Sequence, residues 1–207
     1  MITTFQPINI GPTEDERQLA RDEILSVDDS HWFYDPFRNC KMLPFYNGGG
    51  LMGKESSHDK IFDYTEAGEK CSVGMDICEK YIFSWADPYP RITILKTDKD
   101  SILNPHLDCS TAEVGTPQYK FRIVLSGKID NLYFIDEKYN KKYIPSTHKE
   151  YILDGGHPHG LDASEEIKLT MCAGAPWGRT EIPKNIMKAE NMVVTRPSHL
   201  EESWYRQ

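Results

Sequence analysis

Hydrophobic and polar positions change rhythm along this chain. Residues 13 to 26 (TEDERQLARDEILS) predict a helix: Thr13 can cap it, Glu16 stands three residues on in capping-box position, and Leu19, Ile24 and Leu25 supply an apolar face. From His31 to Lys54 the pattern gives way to an aromatic stretch rich in Pro and Gly, followed by a polar segment to about residue 70. We read this region as long loops with one short strand at Lys41 to Tyr46. After that, short segments rich in β-branched and aromatic side chains recur at Tyr81 to Trp85, Arg91 to Thr97, Lys120 to Ser126, Asn131 to Asp136, Lys149 to Leu153 and Ile167 to Cys172. Turn signals such as SGKID, DEKYNKK and DGGHPHG separate them. Short strands punctuated in this way predict an antiparallel sandwich or barrel, not βαβ units. The tail beyond Trp177 is polar, interrupted by Pro183 and Pro197, and is expected to wrap the barrel or partly disorder.

Composition narrows the picture. At 207 residues, with 39% apolar and 11% aromatic positions, the chain fits a single domain with a packed core. Its expected parts are an N-terminal helix and loop elaboration over 1–75, a β core over 76–176 and a tail over 177–207. The formal charge of −8 disfavours binding to nucleic acid, which depends on Lys and Arg contacts to phosphate. No apolar run is long enough to span a membrane, and the first residues lack the basic and apolar regions of a signal peptide, so a cytoplasmic setting is expected. The five cysteines contain no C-x-x-C pair and read as reduced, buried thiols, Cys109 being notable for adjoining Asp108.

The candidate chemistry lies in Asn104-Pro105-His106-Leu107-Asp108. Pro105 favours an extended approach, and in a strand the side chains of His106 and Asp108 share one face about 7 Å apart, close enough to converge on one ion. Alone, H-x-D is a common tripeptide. About fifty residues on comes Asp154-Gly155-Gly156-His157-Pro158-His159-Gly160-Leu161, and a closed barrel can return one of these histidines to the pair. Two His and one carboxylate with open positions opposite form the facial triad of non-haem Fe(II) oxygenases. Zinc hydrolases can use similar ligands.

With these residues in place, the sequence resembles the 2-oxoglutarate and Fe(II)-dependent dioxygenases, especially the aspartyl/asparaginyl β-hydroxylase-like and proline-hydroxylase-like branches. The resemblance runs from about Arg91 to Trp177 and rests on His106-x-Asp108, the Arg122-Ile123-Val124-Leu125 strand, Pro158-His159 and Lys168. It implies a mainly β fold, a double-stranded β-helix (jelly roll, cupin-like) with a few outer helices. It implies Fe(II) and 2-oxoglutarate as cofactors, O2 as co-reactant, and hydroxylation of an amino acid, peptide side chain or small metabolite. His106, Asp108 and His159 would be the metal ligands, with His157 as the alternative distal histidine.

In that family a basic residue about nine to eleven positions after the distal histidine pairs with the far carboxylate of 2-oxoglutarate. Lys168 lies nine after His159 and eleven after His157. Alternation puts Lys168, Thr170 and Cys172 on one face, with Ile167, Leu169 and Met171 on the other. A lysine offers a point charge where an arginine would offer a fork, and Arg122 is the candidate to assist it, sharing its face with Lys120 and Val124. Two other readings are a cupin-type metal enzyme without 2-oxoglutarate, in which His157 would add a ligand, and a non-catalytic jelly-roll binding module. Gly48 to Lys54 approaches a phosphate-binding loop, but Glu55 replaces the hydroxyl such a loop needs. The aromatics of 31–46 read as core packing; if they faced a pocket, they and Arg38 would suit an amphipathic or carboxylate-bearing substrate.

Overall fold

The structure is a computed structural model describing residues 3–47, 62–86, 89–109, 118–144, 148–174 and 182–205. The glycine-rich 48–54 segment and Trp177 lie outside them. In chain order the described elements are β1 (Phe5–Pro7), α1 (Glu14–Leu25), β2 (Phe33–Asp35), β3 (Cys40–Asn47), β4 (Asp63–Tyr64), α2 (Glu66–Glu69) and α3 (Ser72–Cys78). They continue with β5 (Ile92–Thr97), β6 (Leu103–His106), β7 (Tyr119–Ser126), β8 (Leu132–Ile135), β9 (Lys141–Tyr143), β10 (Glu150–Asp154), β11 (His159–Leu161) and β12 (Lys168–Ala173).

The strands form two antiparallel sheets. The larger runs β1-β10-β7-β12-β5-β3-β2, with β4 paired to β3, and the smaller runs β6-β11-β8-β9. Strands from both sides of residue 76 therefore meet in one sheet. Side-chain alternation in β7 and β12 gives this sheet two unlike faces. Phe121, Ile123, Leu125, Leu169, Met171 and Ala173 are buried in a core shared with Ile24 of α1 and Ile77 and Cys78 of α3. The opposite face looks toward the small sheet, where Val124, Tyr151 and Leu153 pack with Leu132, Phe134 and Leu161. Sheet faces a strand apart in chemistry are what a period of two produces when both sides are covered. This is the double-stranded β-helix expected from the sequence.

α1 is capped as anticipated: Thr13 Oγ1 accepts from Glu16 N at 3.2 Å while Thr13 N donates to the Glu16 carboxylate at 2.8 Å. Its buried stripe, however, is Arg17, Ala20 and Ile24, and Leu19 and Leu25 remain exposed. Arg17 sets this rotation, donating to the Val124 carbonyl at 2.6 Å and pairing with Glu150.

Tyr81 to Trp85, expected as a strand, is helical. The turn begun at Ser72 continues through a π-helical segment at Glu79–Phe83. A short apolar run does not distinguish helix from strand by itself, and here the widened turn lets Ile77, Cys78, Ile82 and Phe83 all reach the core. The tail folds back on the barrel: Met192 bridges Phe5, Met187 bridges Ile8, and the Trp204 carbonyl accepts from Leu107 N at 2.8 Å. No helix among the described residues is long and apolar enough to cross a membrane.

Candidate metal centre

His106 closes β6, an edge strand of the small sheet, where Pro105 is tolerated because no ladder bond needs its missing N–H. The strand ends there, so Asp108 is not its strand neighbour as the sequence suggested. The backbone N–H of Leu107 goes to Trp204 and that of Asp108 to the Gly155 carbonyl at 2.7 Å. His159 opens β11 directly opposite His106. The three side chains still converge: His106 Nε2 is 3.7 Å from Asp108 Oδ1, His159 Nε2 is 3.8 Å from Asp108 Oδ2, and all three donor atoms lie within 4.8 Å of one another. Ligands at about 2.1 Å and right angles around one ion stand about 3 Å apart, so both His–Asp separations are within about 1 Å of a metal-bound arrangement.

The imidazoles are set for coordination by their other nitrogens. His106 Nδ1 donates to the Asn104 carbonyl at 3.0 Å and His159 Nδ1 to the His157 carbonyl at 2.8 Å. A carbonyl can only accept, so each ring carries its proton on Nδ1 and turns the Nε2 lone pair inward. Burial keeps both neutral against the pull of Asp108: His106 is pushed down to about 3 and His159 is also lowered. Burial alone would raise Asp108, but the guanidiniums of Arg38 and Arg122 hold its carboxyl well below the usual range. Arg38 Nη2 donates to Asp108 Oδ1 at 2.5 Å and Arg122 Nη2 to Oδ2 at 3.2 Å. Two neutral imidazoles and one carboxylate make a donor set suited to a divalent ion.

His157 does not join them. Its Nε2 donates to the Ile135 carbonyl at 2.8 Å, and its ring packs edge-on against Phe134. Cys109 also turns away, into a cluster with Leu107, Tyr133 and Trp204. Lys168 and Thr170 lie buried on the inner face of β12, and Arg122 stands across from Cys172 on β7. Lys168 Nζ meets the Asn131 side-chain oxygen at 3.3 Å and, among the described residues, pairs with no carboxylate.

Sequence reasoning gave Arg38 no role at Asp108. Asp35 accepts from the backbone N–H of Phe37 at 3.0 Å and from Arg38 Nη1 at 2.9 Å, while Asn39 takes a left-handed φ of 50°. This tight turn between β2 and β3 delivers the guanidinium to Asp108 and sets the Phe37 ring edge-on to His106 at 5.9 Å. D-P-F-R-N could be read as a turn, but nothing local reveals a partner seventy positions away. Gly155 was also missed. A Cβ there would stand 2.8 Å from Asp108 Cβ and 3.0 Å from the Gln118 carbonyl, so only glycine lets this backbone support Asp108.

No family model matches the sequence, and no curated protein does. Solved structures share its fold. A prolyl-4-hydroxylase from Pseudomonas putida aligns over 83% of this chain and 91% of its own, with a TM-score of 0.50 and 11% identity. HygX from Streptomyces hygroscopicus, with nickel, 2-oxoglutarate and hygromycin B bound, aligns over 95% and 93%, with a TM-score of 0.52 and 13% identity. A prolyl hydroxylase from Trichoplax adhaerens, in complex with a peptide of the hypoxia inducible factor oxygen degradation domain, aligns over 82% of each chain, with a TM-score of 0.50 and 12% identity. The chain therefore has the jelly-roll fold found in 2-oxoglutarate and Fe(II) oxygenases.

Proposed function

We propose that this protein is an Fe(II)- and 2-oxoglutarate-dependent oxygenase that hydroxylates an amino acid, a peptide side chain or a small metabolite. The observation that carries this reading is the convergence of two imidazoles, each locked with its lone pair inward, on one ionised carboxylate. His106, Asp108 and His159 would hold the iron. Lys168, with Thr170 beside it, would bind the far carboxylate of 2-oxoglutarate, an anionic partner its buried ammonium lacks among the described residues. Arg122 would orient Asp108 and border the cosubstrate. Iron with 2-oxoglutarate supplies the oxidation of a C–H bond by O2 with release of succinate and CO2. The chain's own contribution would be orientation: neutral rings that keep their lone pairs, a carboxylate held ionised by two guanidiniums, and a buried lysine for the far carboxylate.

Anaerobic addition of Fe(II) and 2-oxoglutarate is expected to produce a weak visible charge-transfer band, and O2 to release succinate. Absence of both with intact protein would refute the proposal. His159→Asn is expected to lower divalent-metal affinity by at least about 100-fold, whereas His157→Asn should change it by less than about threefold, since its outer-shell link to His159 runs through a backbone carbonyl. The reverse ranking in a Ni(II) titration would exchange the roles of the two histidines. Gly155→Ala should weaken metal binding by about tenfold, roughly 1.4 kcal/mol, because the new methyl group must displace Asp108 or the Gln118 backbone. Wild-type affinity in that variant would show that the Asp108 segment moves freely.

A further inference from the structure

The inner face of β7 carries one cation more than the metal centre and cosubstrate use. Lys120 lies two residues before Arg122, so the two side chains leave the same face about 7 Å apart along the strand. Lys120 is opposite Leu153 of β10, and Arg122 opposite Tyr151. At this same end of the large sheet β12 finishes and β5 begins, the Gly174 N–H donating to the Arg91 carbonyl at 2.9 Å. The charged groups that act on the Lys120 ammonium are Asp108, Arg122, Arg91 and Arg38.

Asp108 is already engaged by Arg38 and Arg122 and would be a metal ligand besides. Lys168 lies at the other end of this face: it is opposite Thr97, while Cys172, four residues on, is opposite Arg122. That separation is about 13 Å along β12, so a carboxylate held by Lys168 is out of reach of Lys120. Among the described residues the Lys120 ammonium has no hydrogen bond and no carboxylate partner, although its side chain is half-buried. An ammonium on this inner face with no anion of its own is unfavourable, and a half-buried site gives an arriving anion a stronger field than open solvent would.

We propose that Lys120 receives an anionic group, carboxylate or phosphate, of the primary substrate, so that this protein acts on an acidic small molecule. The proposal rests on the oxygenase reading above and deepens it. A lysine suits this place because its compact charge accepts either anion without demanding the planar fit of an arginine fork.

The test uses the full chain loaded with Fe(II) and 2-oxoglutarate. Stimulated succinate release is screened with a panel of carboxylic acids and phosphate esters and with a matched panel of their amides and parent alcohols. Acidic compounds are expected to stimulate and their neutral counterparts not to. Which acidic group is taken follows from whether the carboxylate or the phosphate members respond. Lys120→Gln should raise KM for the responding acid by roughly 10- to 100-fold, the range for losing one charge-assisted hydrogen bond. The same variant should leave the affinity for 2-oxoglutarate, measured by the charge-transfer band, within about twofold.

Stimulation by neutral or basic compounds, no response to any acid, or an acid whose KM ignores Lys120→Gln would overturn the proposal. A loss of 2-oxoglutarate affinity in Lys120→Gln would also overturn it, assigning the lysine to the cosubstrate instead. Failure of the wild-type protein to form the band at all is a separate result and removes the oxygenase reading itself.

Discussion

Asp108→Ala is expected to remove the metal and a large part of the stability together. The side chain is 6% exposed and is gripped by Arg38 at 2.5 Å and Arg122 at 3.2 Å. Arg38 keeps Asp35 as a second partner, whereas Arg122 has no other carboxylate partner among the described residues. Truncation therefore leaves two buried guanidiniums facing the space their shared anion occupied. Removing one partner from a buried ionic group costs about 3 to 5 kcal/mol. At about 2 to 4 °C per kcal/mol for a chain of this size, the metal-free variant should melt about 10 °C below the wild type. Divalent-metal affinity should fall by at least about 100-fold, since the charged ligand of the set is gone. Differential scanning calorimetry in chelator and a Co(II) titration separate the two effects. An unchanged melting temperature would mean that the arginines do not depend on Asp108, and unchanged metal affinity would put the metal elsewhere.

Lys168→Met is expected to move stability and function in opposite directions. The lysine is 4% exposed, its ammonium meets only a neutral amide among the described residues, and burial pulls it down to about 8. Folding at neutral pH therefore has to bury a charge that the unfolded chain keeps solvated. Methionine fills a similar volume without that charge, and the variant without cosubstrate should gain on the order of 1 to 3 kcal/mol. The pH dependence follows from the sign of the shift. Between about 8 and the ordinary lysine value of 10.5 the unfolded state binds more protons than the native state, so wild-type stability should rise with pH across this window relative to Lys168→Met. Affinity for 2-oxoglutarate should meanwhile fall by about 100-fold, the ammonium being its proposed partner for the far carboxylate. A variant that is destabilised, or that keeps wild-type 2-oxoglutarate affinity, would show that Lys168 serves the fold and not the cosubstrate.

The parts of the fold legible in the sequence are those with a repeated local signal. Thr13 and Glu16 announce α1, and alternation in 120–126 and 168–172 identifies not only β7 and β12 but which of their residues face inward. Strands of three residues escape because they are too short to alternate. Phe5–Pro7 is buried throughout, Lys141–Tyr143 exposed throughout, and His159–Leu161 hidden in a glycine-rich turn. For the candidate site, the resemblance favours His159 and keeps His157 as the alternative, because two histidines two residues apart can share a strand face. The break comes at Pro158, after which β11 begins and only His159 stands opposite His106. Arg38, Asp35 and Gly155 matter through contacts distant in sequence, and no local pattern encodes those.

The ring of contacts around Asp108 also sets the order in which the protein can be completed. His106 needs β11 opposite it, Asp108 needs the Gly155 carbonyl, and Leu107 needs the backbone of Trp204 near the far end of the described chain. Closing such long loops is the slow part of folding, so a partly folded chain presents no assembled ligand set. A metal that recognises only the finished barrel adds its binding energy to the native state alone, about 2.7 kcal/mol at one hundred times its dissociation constant. Formed after the rate-limiting closure, the bond to the metal would act as a latch: it should slow unfolding while leaving the folding rate unchanged.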